Sequence, residues 1–358
     1  MKAAVLHEAP GELRIDDVDV DDPGPREVRI RTAAAGLCHT DLHVMEGLLA
    51  TRLPVVLGHE AAGVVEAVGD EVTSVAPGDH VITCCSVFCG QCEECLAGRT
   101  YLCTGLRATR RMSGTPRLGL RGERVLPFSE LGAFAEVMLV HENAAVAVST
   151  DIPLDRAALV GCAVVTGVGS VVTTARVQPG ARVAVIGCGG VGLNSVQGAR
   201  LAGAARIIAV DVQPGKLELA RTFGATDTVD ATDVDPVLAV RELTGGGADH
   251  AFEAIGLKTT IEQAVAMLRR GGTATVMGVL PAGTSVELDG TDLFGKRVQG
   301  SVMGSNQFKI DMPRYVDLYL QGRLLLDELV SNQIRLDEVN EGFATLKEGT
   351  VARSVIVF

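Results

Sequence analysis

The spacing of apolar residues changes character once along this chain, near residue 165. Before that point, short apolar or alternating segments predict strands over residues 2–6, 27–32, 63–69 and 81–83. Turn residues separate these segments, as in the Asp-Pro-Gly-Pro sequence of residues 22–25. We therefore expect a β-rich first domain, such as a partly open barrel.

Beyond residue 165, apolar strands alternate with helical stretches. The near-continuous apolar run of residues 182–186 is typical of a strand that is covered on both faces. Further patterns predict helices over 191–202 and 216–223 and strands over 206–211, 250–254 and 273–277, whereas Pro236, residues 245–247 and Pro281 are typical of loops. This alternation predicts βαβ units and a parallel sheet, so the fold class is α/β.

The segment after residue 302 departs from this rhythm. Helices are predicted around 312–322 and 336–347, followed by an apolar closing strand over 354–358. An apolar strand must pair with a neighbour, and we expect it to return to the first domain. We therefore predict a discontinuous first domain, residues 1–163 and 303–358, and a second domain over 164–302.

Composition supports a folded, two-domain protein. A length of 358 residues exceeds one ordinary core, and 47% hydrophobic residues with 42 glycines exclude a disordered chain. We expect no membrane span, because no apolar run reaches the roughly 18 residues that a span needs. We also expect no secretory signal, because residues 1–8 lack a long apolar stretch. The net charge of -12 disfavours a nucleic-acid partner. Nine cysteines without an export signal favour reduced thiols and a cytoplasmic location.

Four cysteines are spaced as in a closed metal site. Cys89, Cys92, Cys95 and Cys103 have two, two and seven residues between them. Four thiolates around one zinc ion leave no vacant position, so such a site holds a loop in place and performs no chemistry. An iron–sulfur cluster and four unrelated thiols are the alternatives that the spacing leaves open.

A second candidate metal set combines Cys38, His59 and Cys162. One imidazole and two thiolates form a three-ligand set for zinc, and this count leaves the fourth position open, as a catalytic zinc requires. Taken alone, each residue more often has a structural role, with His59 as a surface or satisfied core histidine and the two cysteines as buried apolar fillers. The set gains weight only from the motifs around it.

A glycine-rich loop follows the predicted strand 182–186. Residues 187–192, Gly-Cys-Gly-Gly-Val-Gly, fit the G-x-G-x-x-G pattern, open a predicted helix, and precede Asp211 at the end of the next strand. This context is the Rossmann dinucleotide-binding fingerprint, in which glycines let the backbone approach the pyrophosphate at a helix N-terminus. Asp211 would accept hydrogen bonds from the adenosine ribose, which favours NAD over NADP, and Lys216 would assist there.

Taken together, these motifs resemble the zinc-dependent alcohol dehydrogenases of the medium-chain dehydrogenase/reductase superfamily. The resemblance extends over essentially the whole chain, and residues 58–72 fit the zinc signature of that family. It implies a GroES-like β-rich catalytic domain, a Rossmann-type doubly wound parallel-sheet cofactor domain and a homodimer or homotetramer. It also implies two zinc ions per chain and reversible hydride transfer between an alcohol and NAD, with zinc as the Lewis acid.

The resemblance also assigns expected roles to individual residues. Cys38, His59 and Cys162 match the catalytic zinc ligands, with Glu60 close behind the metal and Asp41 orienting the imidazole. Thr40 matches the hydroxyl that bonds the substrate oxygen, and His43 matches the outer end of a proton relay. The expected cofactor contacts are the glycine loop (Gly187, Gly189, Gly190, Val191 and Gly192), Asp211, Lys216, Thr166, His39, Val279 and, at the pyrophosphate, Arg353.

Some positions depart from the family pattern. His39 stands where some members carry an arginine against the pyrophosphate, and Cys85 stands where many place a bulky aromatic in the substrate pocket. A smaller side chain there leaves room for a bulky or aromatic alcohol. Leu49 is apolar, which disfavours the thiol-adduct formaldehyde dehydrogenases, although the chain otherwise resembles bacterial thiol-dependent members.

Two further points remain open at this stage. The arginines of the segment after Cys103 are interpreted as a solvated surface loop or as contacts for an acidic substrate or thiol adduct; they are Arg107, Arg110, Arg111, Arg117, Arg121 and Arg124. A catalytically silent zinc- and dinucleotide-binding protein is the alternative from another class, but it would be expected to lack a ligand or relay residue.

Overall fold

The structure of the protein is a computed structural model, which describes residues 1–112, 114–292, 294–349 and 351–358. The chain divides into one unit formed by Met1–Cys162 and Asn306–Phe358 and a second unit formed by Ala163–Ser305. The predicted first domain, 1–163 with 303–358, differs from the first unit by one residue at one boundary and by three at the other.

Strands occur throughout both units. In chain order they are β1 (Lys2–Leu6), β2 (Leu13–Asp17), β3 (Asp19–Val20), β4 (Glu27–Gly36), β5 (Val55–Val56), β6 (Ala61–Val68), β7 (His80–Thr83), β8 (Leu118–Leu120), β9 (Glu123–Pro127), β10 (Val137–His141), β11 (Ala145–Ala147), β12 (Arg182–Ile186), β13 (Arg206–Asp211), β14 (Asp227–Asp230), β15 (Ala248–Glu253), β16 (Leu268–Val276), β17 (Arg297–Gly300), β18 (Val330–Ile334) and β19 (Arg353–Val357).

Helices connect these strands. They are α1 (His39–Met45), α2 (Glu93–Leu96), α3 (Leu154–Leu159), α4 (Val165–Gly169), α5 (Gly190–Leu201), α6 (Pro214–Phe223), α7 (Pro236–Leu243), α8 (Lys258–Ala266), α9 (Phe308–Leu320) and α10 (Val339–Glu348). Short 3₁₀ turns occupy Thr100–Leu102, Leu106–Thr109, Phe128–Glu130, Glu142–Ala144, Met303–Ser305, Asp327–Leu329 and Leu336–Glu338.

The first unit is built on two sheets. One has the strand order β2-β1-β5-β9-β8-β3, and the other has the order β11-β7-β6-β4-β19-β18, with β10 also paired to β4. The predicted return of the closing strand is confirmed, because β19 pairs antiparallel with β4 and Val355 lies opposite Gly36. The sheets enclose an apolar core in which the rings of Phe134 and Phe343 meet edge to face at 5.9 Å.

The second unit is a parallel sheet with the order β14-β13-β12-β15-β16-β17. Counted from β12 as the first strand, this is the order 3-2-1-4-5-6 of a doubly wound dinucleotide-binding fold, so the α/β prediction is confirmed. The order reverses between β12 and β15. Ligands of such sheets bind beside the carboxyl ends of the strands at this reversal, which is where the glycine loop begins.

One apolar helix corrects an expectation from the sequence. Helices α3 and α4 continue through the π-helical segments Val160–Val164 and Ser170–Thr174 to form one helix, Leu154–Thr174. By length and composition alone this helix could cross a membrane, so the prediction that no such run exists was wrong. Within the fold, however, 83% of its most apolar window is buried, as in the core helix of a globular protein.

Several predicted elements differ from the observed ones at their ends. Strand β16 begins at Leu268 and α9 begins at Phe308, both earlier than predicted, and α9 continues through Pro313. The predicted loop at Pro236 was wrong, because this proline occupies the first turn of α7, where a missing N–H costs nothing. Tertiary packing extends the elements beyond what the local pattern indicates.

Candidate active site

Cys38, His59 and Cys162 meet in the first unit. Their ligating atoms all lie within 4.8 Å of one another, and all three residues are buried. Cys38 precedes α1, His59 lies between β5 and β6, and Cys162 lies in the apolar helix, so three separate segments supply the set. Two thiol sulfurs and one imidazole nitrogen suit zinc, and three ligands leave one position for a further group.

Asp41 fixes the orientation of the His59 ring. Its carboxylate accepts the backbone N–H of Gly58 at 3.0 Å and lies 3.0 Å from Nδ1 of His59, which leaves Nε2 for a metal. Burial alone lowers the pKa of His59, but the charges of Asp41 and Cys38 outweigh burial and raise that pKa well above its ordinary value. A carboxylate behind a ligating imidazole is the arrangement that metal sites use to hold the ring.

Glu60 follows His59 in the chain, and its buried carboxylate receives no hydrogen bond from the described residues. The residue is 0% exposed. Burial raises the pKa of Glu60 to about 7, although the guanidinium of Arg353, 3.8 Å from Oε2, opposes this shift. Gly36 is necessary at this point, because a β-carbon there would overlap the Glu60 carboxylate.

Arg353 occupies a buried position, 3% exposed, next to the same group of residues. One guanidinium nitrogen donates to the carbonyl oxygen of Leu37 at 2.8 Å, and the other faces Glu60. The guanidinium therefore balances part of the negative charge around Cys38 and Glu60. Its expected contact with a pyrophosphate stays a prediction.

Helix α1 carries the predicted relay residues. Thr40 is half-buried, and its hydroxyl lies 3.7 Å from Sγ of Cys38, beside the metal-binding set. His43 lies one turn further along, half-buried, and its carbonyl accepts the backbone N–H groups of Leu48 and Leu49. His39 is exposed at the start of the helix. The relay roles of Thr40 and His43 and the cofactor contact of His39 stay predictions.

One aromatic side chain contacts a residue of the metal-binding set. The ring of Phe128 contacts the ring of His59 edge to face, with centroids 5.9 Å apart. Phe128, Leu49, Cys85 and Leu106 are all partly buried and pack against the same core cluster. Sequence reasoning singled out Leu49 and Cys85 but missed Phe128, because no local motif marks that residue.

The four cysteines of the loop 89–103 also come together. Their sulfurs lie within 4.8 Å of one another, with Cys92 and Cys95 at 3.5 Å and Cys92 and Cys103 at 3.8 Å. Backbone N–H groups of Cys95 and Thr104 lower the pKa of Cys92 to about 5, whereas burial raises the pKa of Cys95 to about 12 and also raises that of Cys103. Without a metal ion, Cys92 is therefore the thiolate of the set. Four converging sulfurs fit a structural zinc ion.

The cysteine loop is hydrogen-bonded to residues 306–307, where the chain re-enters the first unit. Gln307 donates through its side-chain amide to the carbonyl of Gly98 at 2.9 Å, and the Thr100 hydroxyl donates to the carbonyl of Asn306 at 3.4 Å. Asn306 also donates to the hydroxyl of Ser86 at 3.0 Å. The loop therefore holds residues 306–307 in place.

In the second unit, the glycine loop has the geometry of a phosphate cradle. Gly187 has a φ of 91°, and a β-carbon at Gly192 would overlap the Gly187 carbonyl oxygen, so both positions require glycine. A β-carbon at Gly189 would meet no described atom within 4 Å, so open space lies in front of the loop. Helix α5 begins at Gly190 and continues through Val191, so its first N–H groups adjoin that space. The loop therefore fits a dinucleotide pyrophosphate.

Asp211 ends β13 beside this loop. Its carboxylate accepts the backbone N–H of Cys188 at 2.7 Å and those of Val212 and Gln213 at 2.8 and 3.0 Å. The side chain therefore fixes the glycine loop to the turn that precedes α6. Lys216 lies in the first turn of α6 and is half-buried.

The two remaining cofactor candidates in the second unit lie on different elements. Thr166 lies in α4, is 8% exposed, and donates its hydroxyl to the sulfur of Met303 at 3.5 Å. Val279 follows β16 near the carboxyl ends of the strands and is 45% exposed. Both contacts with the cofactor stay predictions.

The arginine-rich segment differs from both sequence interpretations at two positions. Arg117 is buried and donates to Glu27 at 2.7 Å and to the carbonyl of Thr109. Arg111 also pairs with Glu27 and with Asp21. These two arginines therefore anchor the segment to β4 rather than lying free in solvent or facing a substrate. The other four, Arg107, Arg110, Arg121 and Arg124, are exposed.

Comparison with known proteins agrees with this geometry. Residues 24–150 match the alcohol dehydrogenase GroES-like domain, and residues 190–320 match the zinc-binding dehydrogenase domain. A probable S-(hydroxymethyl)glutathione dehydrogenase 1 from Schizosaccharomyces pombe is 38% identical over 363 residues, which cover 99% of this chain and 96% of that protein.

Solved structures agree as well. An alcohol dehydrogenase zinc-binding domain protein from Burkholderia ambifaria has a TM-score of 0.95 and 37% identity, with coverage of 100% of this chain and 98% of that one. The benzyl alcohol dehydrogenase of Acinetobacter calcoaceticus has a TM-score of 0.93 and 33% identity, with coverage of 100% and 99%. The chain belongs to the zinc-dependent alcohol dehydrogenase family of the medium-chain dehydrogenase/reductase superfamily. It is an enzyme whose cofactors are zinc and a nicotinamide dinucleotide.

Proposed function

We propose that this enzyme oxidises a primary or secondary alcohol with NAD and reduces the corresponding aldehyde or ketone in reverse. The observation that carries the proposal is the convergence of Cys38, His59 and Cys162 within 4.8 Å, with Asp41 behind the imidazole. A chain that had lost catalysis would have no need to keep this three-ligand set together with a hydroxyl at Thr40.

The residues around the site have defined tasks in this reaction. When bound, zinc would supply a Lewis acid for the alcohol oxygen, and a nicotinamide dinucleotide would supply the hydride acceptor. Cys38, His59 and Cys162 hold the metal, and Asp41 keeps the imidazole in its ligating orientation. Thr40 orients the alcohol hydroxyl through a hydrogen bond, and His43 passes the released proton outward. Glu60, buried beside the ligands, tunes their charge together with Arg353.

The coenzyme is NAD. Asp211 would accept hydrogen bonds from the adenosine ribose hydroxyls, and its charge would repel the 2′-phosphate of NADP. We expect Asp211→Asn to lower the ratio of kcat/KM for NAD to that for NADP at least about tenfold, which is roughly 1.4 kcal/mol. Asp230→Asn is the matched control, because Asp230 ends the adjacent strand in register with Asp211. An unchanged ratio in Asp211→Asn would refute the assignment.

The substrate is a bulky or aromatic alcohol. The ring of Phe128 presents an apolar surface against the ligand His59. The family resemblance adds the apolar Leu49 and the small thiol of Cys85 at the expected substrate pocket. Comparison of kcat/KM for ethanol, cyclohexanol and benzyl alcohol tests this preference, and Cys85→Phe should reduce the aryl rate most. A preference for ethanol in the wild-type enzyme would contradict the proposed substrate class.

A second candidate is oxidation of a thiol adduct of formaldehyde. The relative from Schizosaccharomyces pombe carries that activity in its name, but the apolar Leu49 offers no polar group to the thiol portion. The two functions separate in one assay, in which formaldehyde and NAD are supplied with and without glutathione or mycothiol. Turnover that requires the thiol and exceeds the rate with benzyl alcohol would favour this candidate.

We also propose a homodimer or homotetramer in the cytoplasm. Strand β17 lies at the edge of its sheet, and Phe294 near it is 83% exposed, so a second copy could continue the sheet there. The nine cysteines form no disulfide among the described residues, which suits a reducing compartment. Light scattering of wild-type protein and of Val298→Lys, on the edge strand, would test the assembly. A monomeric wild-type protein would refute it.

A further inference from the structure

Glu253 is a buried carboxylate in the second unit that none of the roles above uses. It ends β15 and is 0% exposed. Its Oε1 accepts the backbone N–H groups of Ile255 and Gly256 at 2.9 and 2.7 Å and the hydroxyl of Thr260 at 2.8 Å. Its Oε2 is buried without a hydrogen-bond partner among the residues that the structure describes. One oxygen thus ties the turn after β15 to the first part of α8.

Glu253 lies at the point of the sheet where the strand order reverses. Glu253 pairs in register with Ile186, the residue before the glycine loop, and the backbone N–H of Ala254 donates to the Ile186 carbonyl at 2.9 Å. Strands β12 and β15 are the two between which the strand order reverses. The glycine loop and the turn 254–256 are therefore the two walls of the crevice in which such sheets bind dinucleotides.

The turn is packed tightly between two parts of that crevice. A β-carbon at Gly187 would lie 2.5 Å from Cγ1 of Ile255, so the glycine loop and the turn are in contact. On the other side, Gly256 has a φ of 90°, and a β-carbon there would lie 2.5 Å from the carbonyl oxygen of Val279. A shift of the turn would therefore move both the loop and Val279.

We propose that Glu253 is a positioning residue for the dinucleotide, which it acts on through the turn 254–256 and never touches. This inference rests on the proposed function, because it assumes that the crevice holds NAD. The carboxylate is costly to bury, and among the described residues it is the three donors on Oε1 that compensate for it. Removal of the acceptor leaves these donors unpaired and frees the turn, so the wall of the crevice loses its fixed position.

The proposal predicts different NADH affinities for three substituted proteins. Glu253→Ala removes the acceptor, and we expect the dissociation constant for NADH to rise about tenfold or more, equivalent to roughly 1.4 kcal/mol. Glu253→Gln keeps an oxygen for the three donors and should bind NADH within about threefold of the wild type. Asp235→Ala is the matched control, because Asp235 accepts two backbone N–H groups at the start of α7 on the edge side of the sheet.

The measurement is a fluorescence titration of the zinc-loaded proteins with NADH, combined with zinc content, Tm and the KM values for NAD and alcohol. A raised Kd and KM for NAD in Glu253→Ala, with zinc content and alcohol KM unchanged and binding restored in Glu253→Gln, supports the proposal. Wild-type affinity in a folded Glu253→Ala overturns it. A loss of affinity in Asp235→Ala in proportion to its loss of Tm also overturns it, because general destabilisation would then suffice.

Two further outcomes are distinguishable. If Glu253→Ala does not fold, Thr260→Val decides, because it removes one donor only: weaker NADH binding at unchanged Tm supports the proposal, and wild-type binding overturns it. If the wild-type protein itself binds no NADH, the proposed function fails first and the inference about Glu253 falls with it.

Discussion

Asp41 binds two consecutive residues of a distant segment at once: its carboxylate accepts the N–H of Gly58 and lies 3.0 Å from Nδ1 of His59. The same side chain therefore fixes the backbone before the metal ligand and the ring of the ligand itself. Because Asp41 is fully buried, these contacts exclude water from the back of the imidazole.

We expect Asp41→Asn to weaken zinc binding at the catalytic set by about 10- to 100-fold, because loss of the carboxylate removes the charge that orients the imidazole. Competition with a chromogenic chelator measures the affinity. Asp16→Asn is a matched control, because it alters a second Asp–His pair. Asp16 lies 2.7 Å from Nε2 of His7, and neither residue belongs to the metal-binding set. Equal zinc affinity in Asp41→Asn and the control would show that the pair does not support the metal.

The two cysteine sets predict separable metal losses. Cys162→Ser should remove about one zinc ion per chain and abolish turnover, because it breaks the three-ligand set. Cys103→Ser should remove the other ion and lower Tm, because its sulfur closes the four-cysteine set. Atomic absorption on purified protein counts the metal, and Cys84→Ala, a buried cysteine outside both sets, should retain two ions. Full metal content in Cys162→Ser would refute the assignment.

Alanine substitutions at two glycines of the glycine loop should have different effects on stability and on NADH affinity. At Gly192 an added β-carbon would overlap the Gly187 carbonyl, so Gly192→Ala should lower Tm and NADH affinity together. At Gly189 the added carbon meets no described atom, and the helix-cap φ of -80° suits alanine. Gly189→Ala should therefore keep its Tm but bind NADH about tenfold more weakly, because the methyl group enters the space for the pyrophosphate.

Calorimetry and NADH titration on both variants test this contrast. Gly290→Ala provides the control, since a β-carbon there also meets no described atom but the residue lies outside the glycine loop. If Gly189→Ala binds NADH as tightly as the wild type, the open space in front of the loop is not the pyrophosphate site.

The ion pairs of Glu27 should make the free energy of unfolding depend on pH. Burial alone would raise its pKa, but Arg111 and Arg117 outweigh burial and lower the pKa below its ordinary value. The stabilisation is therefore complete above the ordinary pKa of about 4.5 and is lost as the pH falls through the folded-state value. Glu27→Gln should destabilise the protein by roughly 3–5 kcal/mol at pH 7, because a buried pair is broken.

Urea unfolding at pH 7 and at successively lower pH measures this effect. The difference between wild type and Glu27→Gln should shrink as the pH falls, because protonation of Glu27 then has the same consequence as the substitution. Glu66→Gln is the control, since Glu66 pairs with Arg29 and Arg31 at the surface and should cost little at any pH. A difference that is constant with pH would contradict the assignment.

Parts of the site whose residues are close together in the chain could be found from local spacing, whereas the distant set of Cys38, His59 and Cys162 was assigned through the family resemblance. The glycine loop with Asp211 and the four-cysteine spacing follow from local geometry, and the family and the α/β fold are confirmed. Phe128 could not be found this way, because only the course of the chain after β9 brings its ring to His59. Long-range packing leaves no trace in a local pattern.

For other features that were not predicted, such as the start of α7, the sequence did contain an indication, but it was not the spacing of apolar residues. Asp235 before Pro236 is a typical helix start, with the side chain capping two N–H groups of α7. The charges of Arg111 and Arg117 suggested solvent, but their carboxylate partner Glu27 lies 84 and 90 residues earlier. The apolar helix 154–174 escaped notice because glycines and threonines interrupt its hydrophobic residues.

The pairing of β19 with β4 has a consequence for biosynthesis. Cys38, His59 and Cys162 are all translated long before Arg353, which donates to Leu37 and faces Glu60. A nascent chain therefore possesses every metal ligand while the neighbouring cation and its strand are still missing. The ligands of the four-cysteine loop are likewise made before residues 306–307, which that loop holds. The three-ligand set therefore acquires this buried neighbouring cation only once β19 has been made and has paired with β4.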